Sequence, residues 1–154
     1  MTPQIVSGNL LNQRVEVIVN SWNRNVIPWW LLLPQGVSGA IKSAAGYQPF
    51  IEVGRAGAIP LGGAVVTHAG RLPFKAIIHV AGINLLWRAS ARSITGSVRS
   101  AMQIINERGY KSAAFPIIGA GSGGYNEGKA LALMEEAFEP IQTSAIIVVV
   151  RFKR

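Results

Sequence analysis

The sequence of 154 residues contains no cysteine and no aspartate. Without cysteine there is no disulfide, no thiolate metal site and no cysteine nucleophile. The seven acidic residues are all glutamate: Glu16, Glu52, Glu107, Glu127, Glu135, Glu136 and Glu139. Any mechanism that needs an aspartate is therefore excluded. Two histidines, His68 and His79, with these few acids argue against a structural zinc site, and no metal is expected. Long apolar runs are also missing. The most apolar stretches, Val26–Pro34 and Ala145–Val150, fall far short of the ~20 residues that cross a bilayer. The opening MTPQIVSGNLLNQ has no basic segment followed by a long apolar one. These absences predict a cytoplasmic protein that does not engage a membrane.

Charged residues are scarce, at 14%, while hydrophobic residues reach 49%. That composition builds a core and argues against disorder. The length corresponds to one domain, residues 1–154, by the soft prior of about 100–200 residues per domain. Lysine and arginine number 15 against the 7 acids, giving a net charge of +8. Such a surface attracts nucleic acid, phosphorylated ligands or acidic proteins. The basic residues are scattered, with no block of five like charges, so no nucleic-acid-binding tail is predicted.

Apolar periodicity predicts strands alternating with helices. Val15–Asn20, Ala64–Ala69, Ala76–Ala81, Ser112–Ile118 and Ala145–Phe152 read as strands, and Gln4–Ser7 as a further short one. Helices are predicted over Gly39–Ala45 with Gly46 as its C-cap, and from Pro49 through Val53. Ile94, Val98, Ala101, Met102 and Ile105 recur at helical spacing, ended by Gly109. Asn126–Glu139 forms the last helix, with Asn126 at its N-cap and Pro140 ending it. Alternation of this kind predicts a largely parallel sheet covered on both faces.

In open α/β sheets, ligands bind beyond the carboxyl ends of strands. Two glycine-bearing segments fall there, Asn20–Gly39 and Ile118–Tyr125. Glycine lets backbone amides approach a phosphate, and a following helix N-terminus adds favourable partial charge. Two such loops in one small domain predict a diphosphate held from two sides; the alternative is a pair of tight turns with no ligand. The second loop also spells Gly119-x-Gly121-x-x-Gly124, the dinucleotide fingerprint, which keeps a Rossmann-type NAD-dependent oxidoreductase as an alternative. The acid which that fold needs about 20 residues on would fall near Glu139, at a helix end rather than a strand end.

Four stretches, in order, resemble the macrodomain, an α/β/α module that binds ADP-ribose. Gly8-Asn9-Leu10-Leu11 resembles its GDIT-type turn, and Val19-Asn20-Ser21-Trp22-Asn23 its VNAAN. Gly36-Val37-Ser38-Gly39-Ala40-Ile41 with Ala44-Ala45-Gly46 resembles its glycine loop and helix. Phe115 to Gly121, through Gly124 and Tyr125, resembles its second loop. The resemblance implies a three-layer fold with a mixed sheet of about six strands and an ADP-ribose cleft. It places Asn9 and Phe152 at the adenine. It places the backbones of Gly36, Val37, Ser38, Gly39 and Ala40 and of Gly119, Ala120, Gly121, Ser122, Gly123 and Gly124, with Tyr125, around the diphosphate. Asn20 and Asn23, with Ser21 and Trp22 between them, fall at the distal ribose. ADP-ribose is the implied ligand, and no cofactor is implied.

The sequence also departs from that family. Asn9 replaces the adenine-reading acid, Ser38 the acid of the glycine loop, and Gly123 an aromatic. Only Asn23 remains for chemistry, and an amide is no general base at neutral pH. The reading is an ADP-ribose binder with slow or no hydrolysis. The alternatives are an active ADP-ribosyl hydrolase or O-acetyl-ADP-ribose deacetylase, and an RNA or poly(ADP-ribose) binding module. His79 reads as a core histidine, and Glu127 as a charge favoured at a helix start rather than a base. Val26–Leu33, with Pro28, Trp29 and Trp30, reads as a lid or wall over the cleft, or as a dimer contact. Trp87 reads as lid or core.

Overall fold

The strand runs in the sequence are apolar at nearly every position, and a computed structural model shows why. The structure describes residues 1–28, 30, 36–84, 86, 88–121 and 123–153. Expectations for Trp29, Leu31–Leu33, Trp87 and Ser122 lie outside the described residues.

In chain order the elements are β1 (Gln4–Gly8), β2 (Val17–Trp22), α1 (Gly36–Ala45), α2 (Gln48–Arg55), β3 (Ala64–Thr67), β4 (Ala76–Ala81), α3 (Ala91–Arg108), β5 (Ser112–Pro116), α4 (Glu127–Phe138) and β6 (Ile146–Phe152). A single 3-10 turn, Leu10–Asn12, follows β1. The six strands form one sheet in the order β1-β6-β5-β2-β4-β3. All neighbours are parallel except β3, which runs antiparallel to β4 on one edge.

Alternate side chains of each strand enter different cores. Val17 and Val19 of β2, Ile78 and Val80 of β4, and Ile147 and Val149 of β6 pack against α3 and α4. Ile18, Ile77, Val148 and Val150 face the other way, against Ile41 of α1 and Phe50 and Val53 of α2. With both faces covered, neither parity of position can be polar without a partner, so the strands read as continuous apolar runs.

The element limits differ from the predicted ones for identifiable reasons. β2 continues to Trp22 because Ser21 and Trp22 pair with Val80 and Ala81 of β4. β3 ends at Thr67, its last residue paired to β4. β5 ends at Pro116, where the missing N–H closes the ladder. α1 begins at Gly36, three residues before the predicted start, and Gly36 enters the helix with φ of 58°. The C-caps follow the sequence: Gly46 and Gly109 sit at φ of 83° and 68°.

Candidate functional site

Because β1, β6 and β5 are parallel neighbours, their carboxyl ends emerge on one side of the sheet. A cavity of about 580 Å³ opens there. Asn9, Leu10 and Leu11 line it from the turn after β1, and Val150 and Phe152 from β6. Pro116, Ile117, Ala120 and Gly121 line it from the end of β5 and the loop beyond. Gly36, Val37, Ala40 and Ile41 close the opposite wall from the first turns of α1, and Glu127 stands at the rim.

The loop after β5 holds its shape by backbone bonds. Tyr125 N–H donates to Gly119 O at 3.0 Å, and Gly124 N–H to Gly121 O at 3.1 Å. Ala89 N–H, just before α3, donates to Gly123 O at 3.0 Å and ties the loop to that helix. Two of its glycines, Gly119 and Gly123, serve this packing. A Cβ on Gly119, whose φ is 87°, would lie 2.7 Å from the Ala89 Cβ. A Cβ on Gly123 would lie 2.7 Å from Gly119 O. At Gly121, as at Gly124, a Cβ meets nothing within 4 Å, and of the two it is Gly121 that lines the cavity. The Gly121 N–H also donates to no group among the described residues. Facing it, α1 presents a first turn whose N–H groups have no partner within the helix. Among the described residues, the cavity therefore has backbone donors available on two walls, the arrangement that suits an anion.

Ionisable side chains contribute little to this lining. Glu127 sits in the first turn of α4, after the Asn126 N-cap, whose Oδ1 accepts from Lys129 N–H at 3.0 Å. It pairs with Arg151 Nε at 3.1 Å. Asn9 caps the 3-10 turn: its Oδ1 accepts from Leu11 N–H at 2.9 Å.

A family model described as the Macro domain matches residues 19–134. This chain belongs to the macrodomain family. An O-acetyl-ADP-ribose deacetylase of Enterobacter cloacae is 38% identical over 136 residues, covering 81% of this chain and 71% of that protein. A protein of the same name from Klebsiella pneumoniae is 34% identical over 131 residues, covering 80% and 71%. A macrodomain variant of Oceanobacillus iheyensis, solved with ADPR, superposes with a TM-score of 0.84 at 26% identity, covering 97% of this chain and 84% of that one.

Within this macrodomain the residues singled out from sequence separate into two groups. Asn9, Gly36, Val37, Ala40, Ala120, Gly121 and Phe152 surround the cavity. The Asn20–Asn23 segment does not line it. Asn20 is fully buried, and its Nδ2 bonds His79 Nδ1 at 3.0 Å inside the sheet. Trp22, 3% exposed, packs on Phe50 with centroids 5.3 Å apart and forms core rather than a pocket wall. Ser21 is half-buried in the β2–β4 ladder. Asn23 is buried, and its Oδ1 accepts from Asn25 N–H at 2.7 Å, so that carbonyl shapes a turn. Asn25 itself adopts φ of 61° and ties the turn to Val53 O of α2 at 2.6 Å and to Gly57 O just beyond that helix at 2.8 Å. On α1, Ser38 is half-buried with its Oγ unpaired, and Gly39 faces a second depression beside Lys42 and Arg71. Helix periodicity turns Gly39 away from the wall made by Gly36, Val37 and Ala40. Tyr125, Gly119, Gly123 and Gly124 support the loop without lining the cavity. Trp30 is 67% exposed and lies beside Ile51 and Arg55 of α2, not over the cavity.

His79 is a core residue. Thr67 Oγ1 donates to His68 O at 3.0 Å and so accepts from His79 Nε2–H at 2.8 Å. Nδ1 is then the bare nitrogen that accepts from Asn20, which assigns the neutral Nε2–H tautomer. Burial lowers the pKa of His79 to about 3. Burial likewise lowers that of Lys42, whose Nζ lies over the rings of Phe50 and Trp22 at 5.1 and 5.5 Å.

Sequence reasoning missed the apolar floor: Leu10, Leu11, Pro116, Ile117 and Val150. They sit next to residues that were singled out, at strand ends where an apolar residue reads as core.

Proposed function

We propose that this macrodomain binds ADP-ribose or a derivative of it and turns that ligand over slowly or not at all. The observation that carries the reading is Gly121. Its N–H has no partner among the described residues and its Cα borders open space, opposite the first turn of α1. A diphosphate between these walls accepts amide hydrogen bonds from both sides. Its charge is favoured by the positive end of the helix. Apolar Leu10, Val150 and Phe152 extend the cavity toward a base. Isothermal titration tests the reading. ADP-ribose should bind more tightly than AMP, which lacks the second phosphate and the distal ribose. No heat with millimolar ADP-ribose overturns it.

The curated relatives named O-acetyl-ADP-ribose deacetylase favour a second reading, an esterase acting on that substrate. Against rapid turnover stand Ser38 in the glycine segment, the Asn23 carbonyl committed to a turn and the Glu127 carboxylate paired with Arg151. Loss of a general base typically removes about 10²–10⁴-fold in rate. Following acetate release from O-acetyl-ADP-ribose separates the two readings. Fast release that collapses in Glu127→Gln or Asn23→Ala establishes the esterase and names its residue.

A further inference from the structure

A second depression lies on another face of α1, and its charge is basic. The first cavity meets α1 at Gly36, Val37, Ala40 and Ile41; the second, of about 690 Å³, meets it at Gly39, Lys42 and Ser43. Helical periodicity puts these two sets on different faces, so α1 is a wall between two spaces. Gly70 and Arg71, in the turn after β3, also line the second space, with Tyr47 and Gln48 at the start of α2. Lys42 and Arg71 are the charged residues of this lining, and no acid joins them among the described residues. The acid of α2, Glu52, is held by His68: its Oε2 accepts from the His68 N–H at 3.2 Å, and its Oε1 lies 2.6 Å from Nδ1.

Packing fixes both cations. Lys42 is 8% exposed, with its Nζ over the rings of Phe50 and Trp22. Where so little water screens it, an anion gains more from the ammonium than it would at an open surface. Arg71 is held through its backbone. A Cβ on Gly70 would lie 2.3 Å from Ala45 O, so the turn sits directly on the end of α1, and the Arg71 N–H donates to that oxygen at 3.0 Å. The Arg71 guanidinium lies against Gly46, where a Cβ would come within 3.2 Å of Nη2 and 3.3 Å of Nε. The Gly46 N–H takes the Lys42 carbonyl at 3.1 Å. Backbone donors thus satisfy these two carbonyls at the end of α1, and the Arg71 guanidinium has no carboxylate partner among the described residues.

A guanidinium and an ammonium on one lining, with no carboxylate, suit an anion with several oxygens. The fork of the guanidinium matches two phosphate oxygens, and the ammonium adds a point charge. The space is larger than a phosphate ion, which leaves room for a small group esterified to it.

We infer that the depression between α1 and the turn at Gly70 and Arg71 is a second ligand site, which binds a phosphate group through Lys42 and Arg71. Free phosphate and a small phosphomonoester share that chemistry. The site stands whether or not ADP-ribose fills the first cavity, since the two share no lining residue.

The test is an amide NMR titration of the full chain with inorganic phosphate and with phenyl phosphate, each with and without ADP-ribose. Both probes should shift the amides of Gly39, Gly46, Gly70 and Arg71, and the shifts should persist when ADP-ribose is present. Tighter binding of phenyl phosphate supports a monoester as the ligand; equal or weaker binding supports free phosphate. Arg71→Gln, at an exposed position, should weaken binding roughly tenfold, the effect of losing a hydrogen bond to a charged group. Lys42→Met keeps an unbranched stem over the rings and should weaken it similarly. Shifts confined to Gly121 and the first turn of α1 overturn the site, as does unchanged affinity read at Gly46 and Gly70 in folded Arg71→Gln.

Discussion

Glycines of one loop do different work. Gly119 occupies φ of 87° with its Cα pressed toward Ala89 and Ile94, so a side chain there collides with α3. Gly121 has open space where a side chain would go. The two substitutions are therefore expected to separate folding from binding. Gly119→Ala should lower the thermal midpoint, through both the left-handed backbone and the 2.7 Å contact with the Ala89 Cβ. Gly121→Val should leave the midpoint within the range of ordinary surface changes and abolish ADP-ribose binding, because the valine fills the cavity beside the unpaired amide. Thermal melts and titration on both proteins check this. Unchanged affinity in folded Gly121→Val would mean that the loop is only a turn.

At the level of elements, α3 anchors the site from behind. Ser90 and Ser93 form a reciprocal capping box: Ser93 N–H donates to Ser90 Oγ at 3.0 Å, and Ser90 N–H to Ser93 Oγ at 2.8 Å. Ser93 Oγ also donates to Gly82 O at 2.8 Å, joining the helix start to the end of β4. One residue earlier, Ala89 holds Gly123 of the second loop. Helix start, strand end and the loop after β5 are one connected unit. Ser90→Ala is expected to cost about 1 kcal/mol, the usual worth of such a cap, and urea denaturation measures it. Because Ala89 lies next to the cap, the same variant should also weaken ADP-ribose binding measurably. That effect would be missing if the loop held its shape without α3.

The whole molecule feels the buried polar triad of Asn20, His79 and Thr67. His79 is neutral in the folded protein, with a pKa lowered to about 3, whereas an unfolded histidine titrates near 6.5. Below about pH 6.5 the unfolded chain therefore binds a proton that the folded chain does not, and stability rises with pH across the interval between the two values. The contribution is fully present above the unfolded pKa and is lost as the pH falls, at about 1.4 kcal/mol per pH unit. Denaturation at pH 4.5 and pH 7.5 should show this loss, and His79→Gln should flatten it. An equal pH dependence in wild type and variant would place the acid sensitivity in other groups.

The alternating strands and helices were legible along the chain, because burial on both faces of a sheet requires continuous apolar runs whatever the topology. The sequence by itself also determined several helix ends, since Asn126, Gly46 and Gly109 act through their own backbone and side chains. The family pattern was legible for the same local reason: its glycine and asparagine segments keep their order and spacing along the chain. Tertiary structure decided what lies far apart in sequence. The resemblance puts Asn20 at a ligand, but both faces of β2 are covered, and His79, 59 residues on, takes its amide. Gly119 and Gly121 look alike in sequence; Ala89 and Ile94 of another segment make one a packing glycine and leave the other open. The cavity draws its walls from β1, α1, β5, α4 and β6 at once, and only the strand order brings those ends together.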